Sequence, residues 1–217
     1  MGVAKLVAVN VVHEVRPGYF QETAIDKRPV DGPVAVTELG LEGDQQLSRS
    51  HGGPDKAVYA YATEDADWWA TELGRDIPPG LFGDNLRTTG LEISSAQIGE
   101  RWRVGDVVLE VRMPRTPCEN LSLRMGMDGF HLRFNATGRV GALLKVLTPG
   151  NVTAADPITV DERPDHGVTV ADLATGPDAQ QMQRLLDSGV PLAKSVRAKA
   201  QRIVRRDELA AARLTQR

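Results

Sequence analysis

A chain of 217 residues with 41% hydrophobic residues, 25% charged residues and a formal charge of -3 is long enough for one substantial core, or for a main domain with a small appendage. No apolar run approaches the roughly 18 residues that cross a bilayer, the start MGVAKLVAVNVVHEV lacks the basic opening and cleavage site of a secretory signal, and Leu6 stands where a myristoylation motif wants Ser or Thr. One cysteine, Cys118, allows no internal disulfide, so a cytoplasmic protein without covalent staples or membrane association is expected.

In chain order, residues 5–12 (KLVAVNVV), 34–37 (VAVT) and 57–62 (AVYAYA) read as strands: short, rich in β-branched residues or bounded by Gly, Pro or Asp. A helix follows over 63–73 (TEDADWWATEL), with Thr63 as cap, acidic residues in the first turn and Gly74 closing the end. Trp68 and Trp69 anchor it and have no catalytic role. The stretch 107–113 (VVLEVRM) alternates, with Val107, Leu109, Val111 and Met113 on one face and Val108, Glu110 and Arg112 on the other, the period of a half-buried strand. Pro114 ends it and leaves Cys118 in the loop beyond. Residues 142–147 (ALLKVL) and 157–160 (PITV) complete a mainly β region.

After a polar linker the texture turns helical, with segments at 170–174, 177–187 and 191–204, the last running toward Leu214. Residues 1–162 form the main β domain and 163–217 a small three-helix domain, too short to be very stable alone. Residues 1–190 carry a charge of -9 and residues 191–217 a charge of +6. Lys194, Arg197, Lys199, Arg202, Arg205 and Arg206 read as the solvated face of a terminal helix. With no aromatic residues among them, they argue against a nucleic-acid surface.

Glycine-rich polar segments are denser than a β scaffold needs: ELGLEGDQ from Glu38, RSHGGPDKAV from Arg49, FGDNL from Phe82, PRTPCENL from Pro114 and TGRVGALLKVLTPG from Thr137. Gly52 and Gly53 let successive backbone N–H groups point at one ligand, and His51 and Lys56 add side-chain donors, an arrangement suited to phosphate or an oxo-anion. Each segment alone is also ordinary turn chemistry, and Asn85 can bond its own backbone. A lone cysteine is often a small buried hydrophobe. Here the prolines around Cys118 and the nearby Arg115, which would stabilise a thiolate, favour a reactive or metal-binding thiol. One Cys and four scattered His (His13, His51, His131 and His166) do not make a structural zinc site. A pairing of His51 with Cys118 stays open, although no protease, Walker or dinucleotide-binding motif is present.

The ordered set TELGLEGD, HGGPDKAV, FGDNL, MPRTPC and TGRVGALLKVLTPGNV resembles the MOSC domain, the molybdenum cofactor sulfurase C-terminal domain, and in particular its YiiM-like branch. The resemblance covers nearly the whole chain, and the helical tail resembles the three-helix extension of that branch. It implies a barrel-like β fold that binds molybdenum cofactor (molybdopterin), with Cys118 as ligand to molybdenum or as carrier of sulfur. Arg115 and Lys56 would then supply positive charge, Asn85 and the Gly52–Gly53 backbone hydrogen bonds, and His51 the orientation of cofactor or substrate. Where the branch reads Phe-Gly-Glu-Asn-Leu this chain has Asp84, whose carboxylate reaches less far.

On the first implied activity, N-hydroxylated compounds such as purine bases or amidoximes are reduced with electrons from an external flavin or iron–sulfur reductase. On the second, Cys118 carries persulfide sulfur to the cofactor of another enzyme; the chain is too short to add a pyridoxal-phosphate desulfurase. A non-catalytic cofactor carrier is a third. The tail could dock the donor, form a homodimer or cover the pocket.

Overall fold

The computed structural model describes residues 3–47 and 52–215. Eight strands form a mixed sheet. They are β1 (Lys5–Arg16), β2 (Thr23–Pro29), β5 (Val58–Ala62), β6 (Leu86–Thr89), β7 (Arg101–Val104), β8 (Val107–Pro114), β9 (Ala142–Thr148) and β11 (Ile158–Glu162), in the order β11-β7-β8-β9-β5-β6-β1-β2. Only the β5–β6 pairing among them is parallel, and α1 (Thr63–Leu73) leads out of β5 on the way to that crossover. A smaller sheet joins β3 (Val34–Thr37), β4 (Gly40–Leu41) and β10 (Gly150–Val152), with β3 in the centre.

The expected barrel does not close. The start of β11 approaches the start of β1 through one isolated bridge, Lys5 to Pro157, and through hydrogen bonds such as Ile158 N to the Ala4 carbonyl at 2.7 Å. Pro157 has no N–H to donate, and among the described residues the two strands form no longer ladder. The result is a curled open sheet rather than a barrel.

Strand β8 is not half-buried either: both faces are covered, and Glu110 and Arg112 are 3% and 5% exposed. Alternation signals water on the polar face only when the polar residues lack partners, and here they pair with each other at 2.6 Å. Two short helices lie where only loop is expected, α2 (Glu119–Met125) and α3 (Phe130–Ala136). Gly126, at φ 64°, closes α2 in the left-handed conformation that glycine adopts without strain. Thr63 is the first residue of α1 and not its cap; Ala62 holds the cap position.

Phe130 and Phe134, four apart on α3, present one face to Trp69 of α1, with ring centroids at 5.0 and 5.5 Å. Tyr61 stacks on Phe134 and Phe82 meets it edge to face in the same cluster. Trp69 and Phe134 are fully buried, whereas Trp68 is half-buried beneath Arg139. The helices α4 (Val170–Thr175), α5 (Ala179–Asp187) and α6 (Lys194–Thr215) follow the last strand, and the first two start on capping boxes built by Thr169 with Asp172 and by Asp178 with Gln181. Val170, Leu173, Met182, Leu185 and Ala200 join the same apolar core as the sheet. No described helix is long and apolar enough to cross a membrane.

Trp69→Ala removes the centre of the aromatic cluster. It should lower unfolding free energy by about 3–5 kcal/mol, read from urea denaturation.

Candidate functional site

A pocket of about 410 Å³ opens between β2, residues 45–47, the 3-10 turn Pro54–Lys56, β5, the segment 82–85 and the segment 115–120. Its volume lies in the range of about 300–1,000 Å³ usual for small-molecule and cofactor sites.

The scaffold of this pocket is ionic and buried. Asp44, just after β4, accepts from Lys27 Nζ at 2.6 Å, Asn85 Nδ2 at 2.9 Å and the Val12 backbone N–H at 3.1 Å. Asn85 also donates to the Asn10 carbonyl at 3.3 Å and accepts from the Tyr59 N–H through Oδ1 at 3.1 Å. Both its amide hydrogens are thus engaged within the protein, and it fixes the wall of the pocket. Lys27 lines the same pocket and is 7% exposed. Burial pulls its pKa below the ordinary lysine value, against the opposing pull of Asp44. Burial pushes the Tyr59 phenol up, and its hydroxyl donates to the Val140 carbonyl at 2.8 Å.

Arg115 continues the chain from β8 into the pocket. Its guanidinium lies 5.7 Å from the Tyr59 ring and 5.9 Å from that of Phe134, and its Nη1 is buried without a hydrogen-bond partner. Cys118 occupies the cap position of α2 with extended backbone at φ -129°, half-buried in the pocket wall. Two residues on, Asn120 accepts from the Tyr19 backbone N–H at 2.8 Å, which ties the β1–β2 connection to the pocket rim. The loop beyond is just as tight: a Cβ on Gly52 would meet Gln46 Oε1 at 2.3 Å, and Gly53 sits at φ 98°.

Of the residues singled out in the sequence, Lys56, Asn85, Arg115 and Cys118 line this one pocket. Gly52 and Gly53 lead into the Pro54–Lys56 turn. His51 lies outside the described residues. His131 bonds Ser122 Oγ at 2.8 Å, and His166 bonds the Ile98 carbonyl at 2.8 Å, both serving local structure. Asp84 is fully buried against Arg87, with 3.1 Å between Oδ2 and Nε, and Arg87 also donates to the Ile77 and Pro78 carbonyls. The shorter carboxylate is thus a structural partner of Arg87, not a pocket contact. Lys27 and Asp44 were missed, because a charged residue, whether in a strand as Lys27 is or in a loop as Asp44 is, reads as surface until its partner, distant in the chain, is known. Among the described residues no group of three or more His, Cys, Asp or Glu could hold a metal ion by itself.

The mixed sheet carries a pocket lined by a cysteine and several cations, and residues 48–159 match the model of the MOSC domain. The chain belongs to that family and is a YiiM-like member of it. It is 38% identical over 183 residues to Protein YiiM of Escherichia coli, covering 80% of each chain. It is 37% identical over 171 residues to a Gibberella moniliformis protein named Reductase, covering 71% of this chain and 30% of that longer one. The crystal structure of YiiM from Geobacillus stearothermophilus superposes with a TM-score of 0.75 at 26% identity, covering 92% of this chain and 98% of that one.

Asp44→Ala would leave the Lys27 ammonium buried without its counter-charge. The expected loss is about 3–5 kcal/mol of stability, measured by chemical denaturation.

Proposed function

We propose that the pocket binds molybdenum cofactor, with Cys118 as protein ligand to the metal, and that the protein reduces N-hydroxylated compounds such as N-hydroxylated purine bases or amidoximes. The observation that carries this reading is the meeting of a thiol with three cations, Lys27, Lys56 and Arg115, in one pocket. A soft metal held by sulfur takes a further thiolate readily, and an anionic cofactor needs fixed positive charge. The residues fit such a group: the buried Arg115 Nη1 has a donor to spare, and Lys27 uses one of three N–H donors on Asp44. A single protein ligand suffices when the metal arrives already held by its cofactor.

When bound, the cofactor supplies the two-electron redox chemistry. Cys118 would hold the metal; Lys27, Lys56 and Arg115 would hold the anionic part; Asn85 and Asp44 keep Lys27 and the Tyr59 segment in place. His51 is assigned to orienting cofactor or substrate. In the overall reaction the N–O bond breaks, two electrons and two protons are taken up, and the oxygen leaves as water. Electrons come from a flavin or iron–sulfur donor outside these 217 residues, whose one cysteine cannot hold an iron–sulfur cluster. The name of the fungal relative, Reductase, supports this class of activity.

The test is molybdenum and pterin content of protein from a host that makes the cofactor, for the parent and for Cys118→Ser. Near-stoichiometric molybdenum in the parent and its loss in the variant is the expected outcome, with a melting temperature that moves little because the thiol is only half-buried. Parent protein without either component would refute the reading and direct attention to labelled sulfur on Cys118. Arg115→Ala should weaken cofactor retention by about tenfold, the size of one lost charge-assisted hydrogen bond, measured as molybdenum remaining after dialysis.

A further inference from the structure

Arg112 lies inside β8 with a side chain 6% exposed, and its guanidinium serves three separate parts of the molecule. Nε donates to Asp55 Oδ1 at 2.8 Å, Nη1 donates to Glu110 Oε1 at 2.6 Å, and Nη1 also donates to the carbonyl of Pro191. Glu110 accepts in turn from Arg101 Nε at 3.2 Å, and Arg101 Nη1 reaches Glu162 at 2.7 Å. Arg101 is the cross-strand partner of both Glu110 and Glu162. Opposite charges therefore alternate across β11, β7 and β8 and end on Asp55.

The two ends of this row matter for the site. Asp55 belongs to the Pro54–Lys56 turn, whose Lys56 lines the pocket. Pro191 belongs to the connection between α5 and α6, beside Val190, which packs so closely on Gly99 that a Cβ there would lie 2.4 Å from it. A buried guanidinium with carboxylate partners is rigid, because any movement that breaks one bond leaves charge unpaired in the interior. Of the two carboxylate partners of Arg112, Asp55 is the exposed one at 37%, so that link can be cut without stranding a carboxylate in the core.

We infer that Arg112 is a positioning residue through which the helical tail holds the Pro54–Lys56 turn, and with it Lys56, against the pocket. The tail is then part of the binding site's support. This rests on the reading of the pocket as a cofactor site.

The test uses the full chain from a cofactor-producing host and two readouts, amide hydrogen exchange and molybdenum retained on dialysis. In Asp55→Ala, exchange across residues 52–57 should accelerate about tenfold, as expected for one lost bond to a charged group, while α5 and α6 exchange as in the parent. The half-time for molybdenum loss should shorten about tenfold, the lower end of the roughly 10–100-fold cost of removing an outer orienting partner. Asp55→Asn, which keeps an acceptor oxygen, should fall between. Arg112→Gln should accelerate exchange in the turn and at residues 190–193 together. Unchanged exchange at 52–57 in Asp55→Ala overturns the clamp. Accelerated exchange with unchanged molybdenum retention overturns the positioning role. Parent protein that carries no molybdenum overturns the reading of the pocket, and the positioning role falls with it.

Discussion

The carboxylate of Asp44 is the constraint on which the pocket depends. It is 3% exposed and joins β1 through Val12, β2 through Lys27 and the approach to β6 through Asn85. An ion in that position has lost its water and must find full compensation in protein donors. Three segments far apart in the chain therefore converge on one carboxylate, and the surface they leave between them is the pocket wall. A lysine held in this way keeps donors for a ligand while its position is fixed in advance, which lowers the ordering cost of binding.

The aromatic cluster solves a different problem. Strand β5 is buried along its whole length and needs apolar cover, which α1 and α3 provide through Trp69, Phe130 and Phe134. Arg115 lies over the Phe134 ring, so the packing that closes the core also sets the guanidinium in the pocket. The side chains that stabilise the core here also shape the pocket. The row of charges from Glu162 to Asp55 serves the sheet and the turn alike. Buried charge thus ends in one place at the pocket itself, through Lys27, and in the other at the Pro54–Lys56 turn whose Lys56 lines it.

Much of the strand content could be read from the chain because short runs such as VAVT and ALLKVL carry their own β preference and sit between turn residues. The strands β6 and β7, LRTT and RWRV, could not, since each is short, carries arginine, and is a strand only because of its neighbours in the sheet. The helix α2 escaped notice because a proline-flanked cysteine looks like loop, and its seven residues are too few to show a period. The barrel expectation came from resemblance, and closure depends on how far β11 can run beside β1, which no local pattern encodes.

Cys118, Arg115, Lys56 and Asn85 were legible because an unusual residue in a motif is visible without coordinates. The sequence by itself determined the family, the β-rich main part and the helical tail. Only the tertiary structure decided that Asn85 is a strut, that Asp84 serves Arg87, that Lys27 faces the pocket and that Arg112 bonds both the tail at Pro191 and the Pro54–Lys56 turn at Asp55. The reason is physical: the sign and spacing of charges lie in the sequence, but whether a charge is solvated, buried with a partner or held ready for a ligand depends on residues brought together from distant parts of the chain.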